Sequence, residues 1–178
     1  MNILAVGDIV GEIGVKELQK RLQKVKQKYN VDFTIVNGEN AAEGMGITEK
    51  NFKDILAAGA DTVTMGNHTW GKKEIFKFID NPKLIRPANY PKEVCGKGYN
   101  VYRCKDKKIA VINALGRAEI NIMLDNPFAV VKDIVDRIKN EVDIIMFDFH
   151  AEATAEKKAM AYYLDGEITA IFGTHTHT

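Results

Sequence analysis

Ala170-Ile-Phe-Gly-Thr-His175-Thr-His177 is a short apolar run that closes on two histidines, and four other segments follow the same plan. His68 ends Val63-Thr-Met-Gly-Asn-His, and His150 ends Ile144-Ile-Met-Phe-Asp-Phe-His. Ile3-Leu-Ala-Val-Gly-Asp8 ends on a carboxylate, and Phe33-Thr-Ile-Val-Asn-Gly-Glu39-Asn40 on a carboxylate and an amide. Such runs read as strands buried on both faces. In an open α/β sheet, ligands bind outside the carboxyl ends of the strands. All 4 histidines of the chain are placed at such ends, so the pattern predicts a metal site along one edge of the fold.

Between the runs the apolar period lengthens to that of a helix. Val15, Leu18, Leu22, Val25 and Tyr29 form one stripe over residues 14–29, with lysines and an arginine on the solvated remainder. Thr48 reads as the N-cap of a helix that Gly59 stops. Further helices are expected over residues 72–79, 127–139 and 154–164, with Pro127 suited to a first turn. Strands are expected over residues 2–6, 32–36, 62–65, 142–148 and 169–172, and 99–103 pairs with 108–113 as a hairpin. Residues 81–91, broken by three prolines, read as irregular. The order predicts one α/β domain over residues 1–178, built on a largely parallel sheet.

The 178 residues are enough for a full core. With 25 basic and 24 acidic residues, the balanced charge provides no field for nucleic acid or an anionic membrane. No apolar stretch reaches the ~20 residues of a membrane span. The N-terminus enters a strand without a signal segment, so a cytoplasmic location is the expectation. Cys95 and Cys104 lack metal-ligand spacing and read as ordinary thiols.

A carboxylate shared by two divalent cations holds them ~3.5–4 Å apart in two-metal phosphatases and nucleases. Glu39, in a turn crowded by Gly38 and the flexible Gly44 and Gly46, is the candidate bridge. Asp8, His150 and the His175–His177 pair would complete the set, the pair pointing to one side if that segment stays extended. Asn40 and Asn67 add neutral oxygens. Nitrogen and oxygen donors without thiolate suit Mn, Fe or Zn. Each residue alone has a plainer reading: Asp8, Asn40 and Asn67 as turn formers, and His68 or His150 as a hydrogen-bonded structural residue. Convergence on one edge favours the metal site.

Gly7-Asp8, Asn37-Gly-Glu39-Asn40, Gly66-Asn67-His68, His150 and Gly173-Thr-His175-Thr-His177 follow, in order, the motif blocks of calcineurin-like metallophosphoesterases. Gly7-Asp-Ile-Val-Gly11, Asn37-Gly-Glu-Asn-Ala41, Arg86-Pro-Ala-Asn-Tyr-Pro91 and Asp148-Phe-His-Ala-Glu-Ala-Thr154 resemble the bacterial YmdB-like branch more closely. The resemblance covers essentially the whole chain. It implies a metallophosphoesterase-type two-sheet sandwich flanked by helices. It also implies hydrolysis of 2′,3′-cyclic and 3′,5′-cyclic nucleotides, with a hydroxide activated by two divalent transition metals as nucleophile.

One metal would be held by Asp8, Glu39 and His177 with Asn40 nearby, the second by Glu39, Asn67, His150 and His175. His68 would be the general acid. Two departures from the broad superfamily, Asp8-Ile-Val where Asp-x-His is usual and Glu39 where the bridge is usually Asp, fit the narrower branch. Both favour iron or manganese over zinc. Relatives run on past the final His-x-His block, so the C-terminal strands that complete the second sheet are expected to be missing. A homo-oligomer is compatible with these features.

Three other functions remain open on the residues alone. The same site could serve a phosphomonoesterase, or a nuclease, although a nuclease would surround its groove with basic and stacking side chains. A non-catalytic nucleotide-binding module would use Gly7, Gly11 and Gly14 at the first strand-to-helix turn. Their spacing, G-x₃-G-x₂-G, matches neither the dinucleotide fingerprint nor a P-loop. Arg86, Asn89 and Tyr90 read as loop structure, with the substrate side of the site as the alternative.

Overall fold

The computed structural model describes residues 1–177. Two four-stranded sheets lie face to face, with a pair of helices on each outer face. The first sheet has the order β1 (Ile3–Val6), β2 (Phe33–Asn37), β3 (Thr62–Thr64), β4 (Leu84–Ile85), all parallel. The second runs β5 (Tyr99–Cys104), β6 (Lys107–Leu115), β7 (Ile144–Ala151), β8 (Ala170–His175). Its β5–β6 pair is antiparallel and the remaining pairs are parallel. The sequence periodicity alone predicts one largely parallel sheet. The two-sheet arrangement came only from the resemblance, because strand patterning does not reveal which strands share a sheet.

Alternation along the strands assigns each apolar side chain to a layer. Phe33, Ile35, Ile85, Ile109, Val111 and Met146 fill the space between the sheets. On the outer face of the first sheet, α1 (Gly11–Tyr29) and α2 (Glu49–Ala58) bury Val15, Leu18, Leu22, Phe52 and Ile55 against Val36 and Val63. On the second, α3 (Pro127–Ile138) and α4 (Thr154–Tyr163) bury Val131, Val135 and Met160 against Ile112, Phe147 and Phe149. Each such side chain contributes about 1.5–3 kcal/mol. No helix among the described residues is long and apolar enough to cross a membrane.

The helix ends follow local rules. Thr48 Oγ1 accepts from Asn51 N at 3.1 Å, and Asn51 Oδ1 accepts from Thr48 N at 3.3 Å. Gly59, at φ 116°, closes α2 in the left-handed region. Asn126 Oδ1 accepts from Phe128 N, with Pro127 in the first turn of α3.

Several boundaries differ from the periodicity: β7 and β8 run three residues past their expected ends, to Ala151 and His175, so His150 and His175 lie within strands. α1 begins at Gly11, three residues early, since its first turn carries no buried apolar residue. The expected helix at 72–79 is a 3₁₀ turn, Lys73–Lys77, too short to build an apolar face. The irregular stretch at 81–91 contains β4, two residues that no periodic pattern could mark. Cys95 and Cys104 are free thiols, and Cys95 stands outside the β5–β6 hairpin.

Candidate metal centre

The apolar filling between the sheets gives way to polar groups near the carboxyl ends of the strands. Asn37 ends β2, Thr64 ends β3, Asp148 lies in β7, and Thr174 lies in β8; all are buried. Asp148 accepts from Asn37 Nδ2 at 3.0 Å, Thr64 Oγ1 at 2.6 Å and Thr174 Oγ1 at 2.7 Å. One buried carboxylate thus ties both sheets together. Burial pushes its pKa up, while the positive charge of His150 and those three donors pull the other way; the net direction is upward.

Past this seam, the sheet register sets the next layer. His150 in β7 pairs directly with Thr174 in β8, and Ala151 with His175. Facing neighbours in a ladder share one side of the sheet, which brings His150 Nδ1 to 2.8 Å from Thr174 Oγ1. The His150 ring is wholly buried, and its other nitrogen, Nε2, is 2.9 Å from Asn67 Oδ1, 3.1 Å from His175 Nδ1 and 3.2 Å from Glu39 Oε1. Glu39, His150 and His175 each offer a donor atom within 4.8 Å of the others.

The remaining residues sit alongside. Asp8 Oδ2 accepts from the His175 backbone N–H at 3.0 Å, and Asp8 Oδ1 lies 3.7 Å from His177 Nε2. Asn40 Nδ2 is 3.4 Å from the same His177 nitrogen, and Asn40 Oδ1 is 2.9 Å from His68 Nδ1. His68 donates its backbone N–H to Glu39 Oε2 at 2.9 Å. Its ring Nε2 has no hydrogen-bond partner among the described residues. Asp8, Glu39, Asn40, Asn67, His68, His150, His175 and His177 therefore form one connected cluster.

The route by which the last pair arrives differs from expectation. β8 ends at His175, and His175 and His177 take φ of 93° and 54°. A left-handed turn, rather than an extended strand, delivers them. It sends His175 toward His150 and Glu152, and His177 toward Asp8 and Asn40. Backbone of this kind is costly for non-glycine residues, by roughly 1–3 kcal/mol each, and persists where surrounding contacts hold it. The Asp8 carboxylate on His175 N is such a contact.

Two buried carboxylate oxygens, Asp8 Oδ1 and Glu39 Oε1, have no hydrogen-bond partner among the described residues. His150 Nε2 approaches Glu39 Oε1, but not with hydrogen-bond alignment. Buried carboxylate oxygens are expensive to leave unpaired unless a cation or proton neutralises them. Burial pushes the Glu39 carboxyl up, yet the His150 ring, helped by His68, brings it below the ordinary value. Burial lowers His150, and Glu39, with Asp148 and Asp8, more than offsets this, so its pKa is raised. Burial, assisted by the charge of His150, holds His175 below the ordinary imidazole value. Oxygens lacking partners, in contact distance of imidazole nitrogens and amide groups, fit divalent cations.

Four contributors were not singled out from sequence. Asp148 and Thr174 support His150 from beneath. Glu152 Oε2, 2.9 Å from His175 Nε2, leaves the Nδ1 of that ring toward Glu39 and His150. A Cβ on Gly66 would lie 2.3 Å from Glu39 Oε2 and 2.5 Å from the His150 ring, so only glycine fits there. A carboxylate inside an apolar run, as at Asp148, was the available signal.

Arg86 and Asn89 do not reach the cluster. The Arg86 guanidinium donates to the carbonyls of Pro87, Val94 and Cys95, and Asn89 Nδ2 donates to Leu115 O and Asp125 O. Both hold loops. Tyr90 stands edge-on to Trp70. Beside the cluster, a cavity of about 410 Å³ is lined by Gly7, Asp8, Ile9, Gly173, Thr176 and His177.

The YmdB-like protein family model matches residues 4–178. Over 178 residues the chain is 48% identical to a 2′,3′-cyclic-nucleotide 2′-phosphodiesterase of Bacillus subtilis, covering 99% of this chain and 67% of that protein. A hypothetical protein from Thermus thermophilus superposes with a TM-score of 0.93 at 35% identity, over 100% of this chain and 69% of that one. A Staphylococcus aureus protein provisionally named a 5′-nucleotidase shares the fold alone, with a TM-score of 0.66 at 14% identity, over 90% of this chain and 39% of that one. The chain spans about two thirds of the length of its Bacillus relative. With the family model running through almost every residue, the chain belongs to the YmdB-like family, on a fold similar to that of metallophosphoesterases.

Proposed function

We propose that this chain belongs to a metal-dependent phosphodiesterase that opens 2′,3′-cyclic nucleotides, with 3′,5′-cyclic nucleotides as a second substrate class. The observation that carries the reading is the pair of buried, unpartnered oxygens on Asp8 and Glu39 among imidazole and amide donors. The activity named for the Bacillus relative supplies the substrate class.

In this reading Asp8, Glu39, Asn40 and His177 hold one cation, and Glu39, Asn67, His150 and His175 the other. The donor set of nitrogen and oxygen suits iron or manganese, with zinc also compatible. When bound, two such cations neutralise phosphoryl charge and provide hydroxide at neutral pH. His68 delivers a proton to the departing ribose oxygen. Its Nδ1 is engaged by Asn40 Oδ1, which orients the ring, while Nε2 has no hydrogen-bond partner among the described residues. The Glu39 contact to the His68 backbone N–H fixes that acid relative to the shared carboxylate. Hydrolysis then breaks the bond from phosphorus to O2′ and leaves the 3′-phosphate.

The test is a substrate panel on protein reconstituted with Mn²⁺ or Fe²⁺: 2′,3′-cyclic AMP, 3′,5′-cyclic AMP, bis(4-nitrophenyl) phosphate and 4-nitrophenyl phosphate. The 2′,3′-cyclic ester should be opened fastest, with 3′-AMP as product. Faster turnover of the monoester would overturn the reading in favour of a phosphomonoesterase. Protein that binds no metal, or turns over none of the four, would overturn it entirely.

A further inference from the structure

Arg86, which does not reach the metal centre, buries a positive charge without a counterion. It is 4% exposed. Its Nε donates to Cys95 O at 2.8 Å, one terminal nitrogen to Pro87 O at 2.7 Å, and the other to Val94 O at 2.8 Å. A guanidinium offers five N–H donors, so each terminal nitrogen keeps one hydrogen that no described residue takes. Carbonyl oxygens satisfy donors without cancelling charge, and Arg86 forms no ion pair among the described residues. Burial pulls its pKa down accordingly. Buried charges are normally paired, so holding three loop carbonyls accounts for the donors of this side chain but not for its charge.

A cavity of about 380 Å³ adjoins that charge. It is bounded by Arg86 and Tyr90 after β4, Gly98 and Tyr99 at the entry to β5, and Val130 and Ile134 on α3. None of its walls belongs to the metal cluster. Pockets of about 300–1,000 Å³ hold small organic molecules, and this one is larger than a lone ion requires. Its lining offers three chemistries. Arg86 and Lys92 are cations without an ion pair among the described residues, whereas Arg137 is taken by Asp133 at 2.9 Å. The Tyr90 and Tyr99 rings, with Ala129, Val130 and Ile134, supply an apolar surface, and Arg86 Cζ lies 6.0 Å from the Tyr90 ring. Asp125 supplies an acceptor, and Asn89 fixes its backbone: Asp125 N donates to Asn89 O at 3.0 Å, and Asn89 Nδ2 to Asp125 O at 3.2 Å.

We propose that this cavity is a second ligand site, separate from the metal centre, for a nucleoside monophosphate. An anion that also carries a flat ring and several N–H or O–H donors meets all three parts of the lining. The phosphate takes the remaining hydrogens of Arg86, whose planar fork suits phosphate oxygens, and Lys92 adds charge. The base lies among the two tyrosine rings and the α3 wall, since every base has a face that aromatic side chains accept. Asp125 accepts from a ribose hydroxyl or a base amino group. Inorganic phosphate would leave the apolar surface and Asp125 unused, and an uncharged nucleoside would leave Arg86 without a counterion. The site stands independently of the metal-dependent reading above.

Calorimetric titration of the whole chain with adenosine 5′-monophosphate, in EDTA so that no bound metal can capture the phosphate, tests the proposal. One equivalent should bind, and adenosine or inorganic phosphate alone should bind about tenfold or more weakly. Lys92→Glu and Ala129→Trp, both at exposed positions, should weaken binding by about tenfold or more, the first by reversing a charge and the second by filling the cavity. Arg86→Lys, which keeps the charge but loses the fork, should do the same. If Arg86→Lys does not fold, the two exposed variants decide. Binding that survives both Lys92→Glu and Ala129→Trp would place the nucleotide elsewhere and overturn the proposal. Equal affinity for the nucleotide and for adenosine or phosphate would also overturn it, as would failure of the adenosine, guanosine, cytidine and uridine monophosphates all to bind.

Discussion

Glu39 Oε1 and His150 Nε2 stand 3.2 Å apart across the gap between the two sheets, close but not aligned for a hydrogen bond. Glu39 follows β2 of the first sheet and His150 lies in β7 of the second, so the contact joins the two halves of the fold at their polar edge. At ε near 20 an unscreened charge pair at this distance interacts by several kcal/mol. A cation between the two groups would replace a poorly formed contact with two good ones.

Glu39→Gln keeps the shape of the side chain and removes its charge. Metal content measured by inductively coupled plasma spectrometry should fall at both positions, and kcat/KM should drop about 10²–10³-fold, the range for removing one charge-stabilising group. A variant that retains two metals per chain would show that Glu39 is not shared.

His68→Ala should separate binding from proton delivery. Both metals should stay, while kcat on a cyclic nucleotide falls ~10²–10⁴-fold. The defect should be smaller on bis(4-nitrophenyl) phosphate, whose leaving group departs without a proton. An equal defect on both esters, or loss of metal, would reassign His68.

Gly66→Ala puts a methyl within 2.5 Å of the Glu39 carboxylate and the His150 ring. Overpacking of this kind costs about 1–3 kcal/mol, and the displaced ligands should also reduce metal content. Unaltered melting temperature and metal stoichiometry would mean that the loop yields without disturbing the cluster.

Metal-free protein carries the unpartnered Asp8 and Glu39 oxygens as an electrostatic cost. Mn²⁺ at 100 times its Kd should stabilise the fold by about 2.7 kcal/mol per site, raising Tm by about 5–10 °C. EDTA should reverse the shift. A melting curve indifferent to Mn²⁺ and to chelator would mean that no cation binds the folded state preferentially.

The strands that position the cluster were readable because each is a continuous apolar run ended by a polar residue. α2 was readable from Thr48 and Gly59, since capping is local chemistry. The partition into two sheets was not, because Val36 and Ile112 have similar neighbours in sequence and differ only in which helix pair covers them. The two residues of β4 fall below any period. At the site, the identities at the strand ends carried the candidate donor types, whereas the turn that separates His175 from His177 depends on a backbone conformation that histidine does not signal. Asp148 was visible as a carboxylate among Met146, Phe147 and Phe149, but its partners Asn37 and Thr64 lie 111 and 84 residues away.

The seam at Asp148 also imposes an order of events. Asp8, Glu39 and Asn67 lie on segments of the first sheet, and His150, His175 and His177 on segments of the second. Neither sheet alone holds the whole of the proposed ligand set. On the proposed ligand set, cation uptake would follow docking of the halves, and the chain would close around two like-charged, dehydrating carboxylates before an ion neutralised them. In the Asp148 seam the threonine and asparagine donors are drawn from both sheets, so that closure can proceed without waiting for the ion.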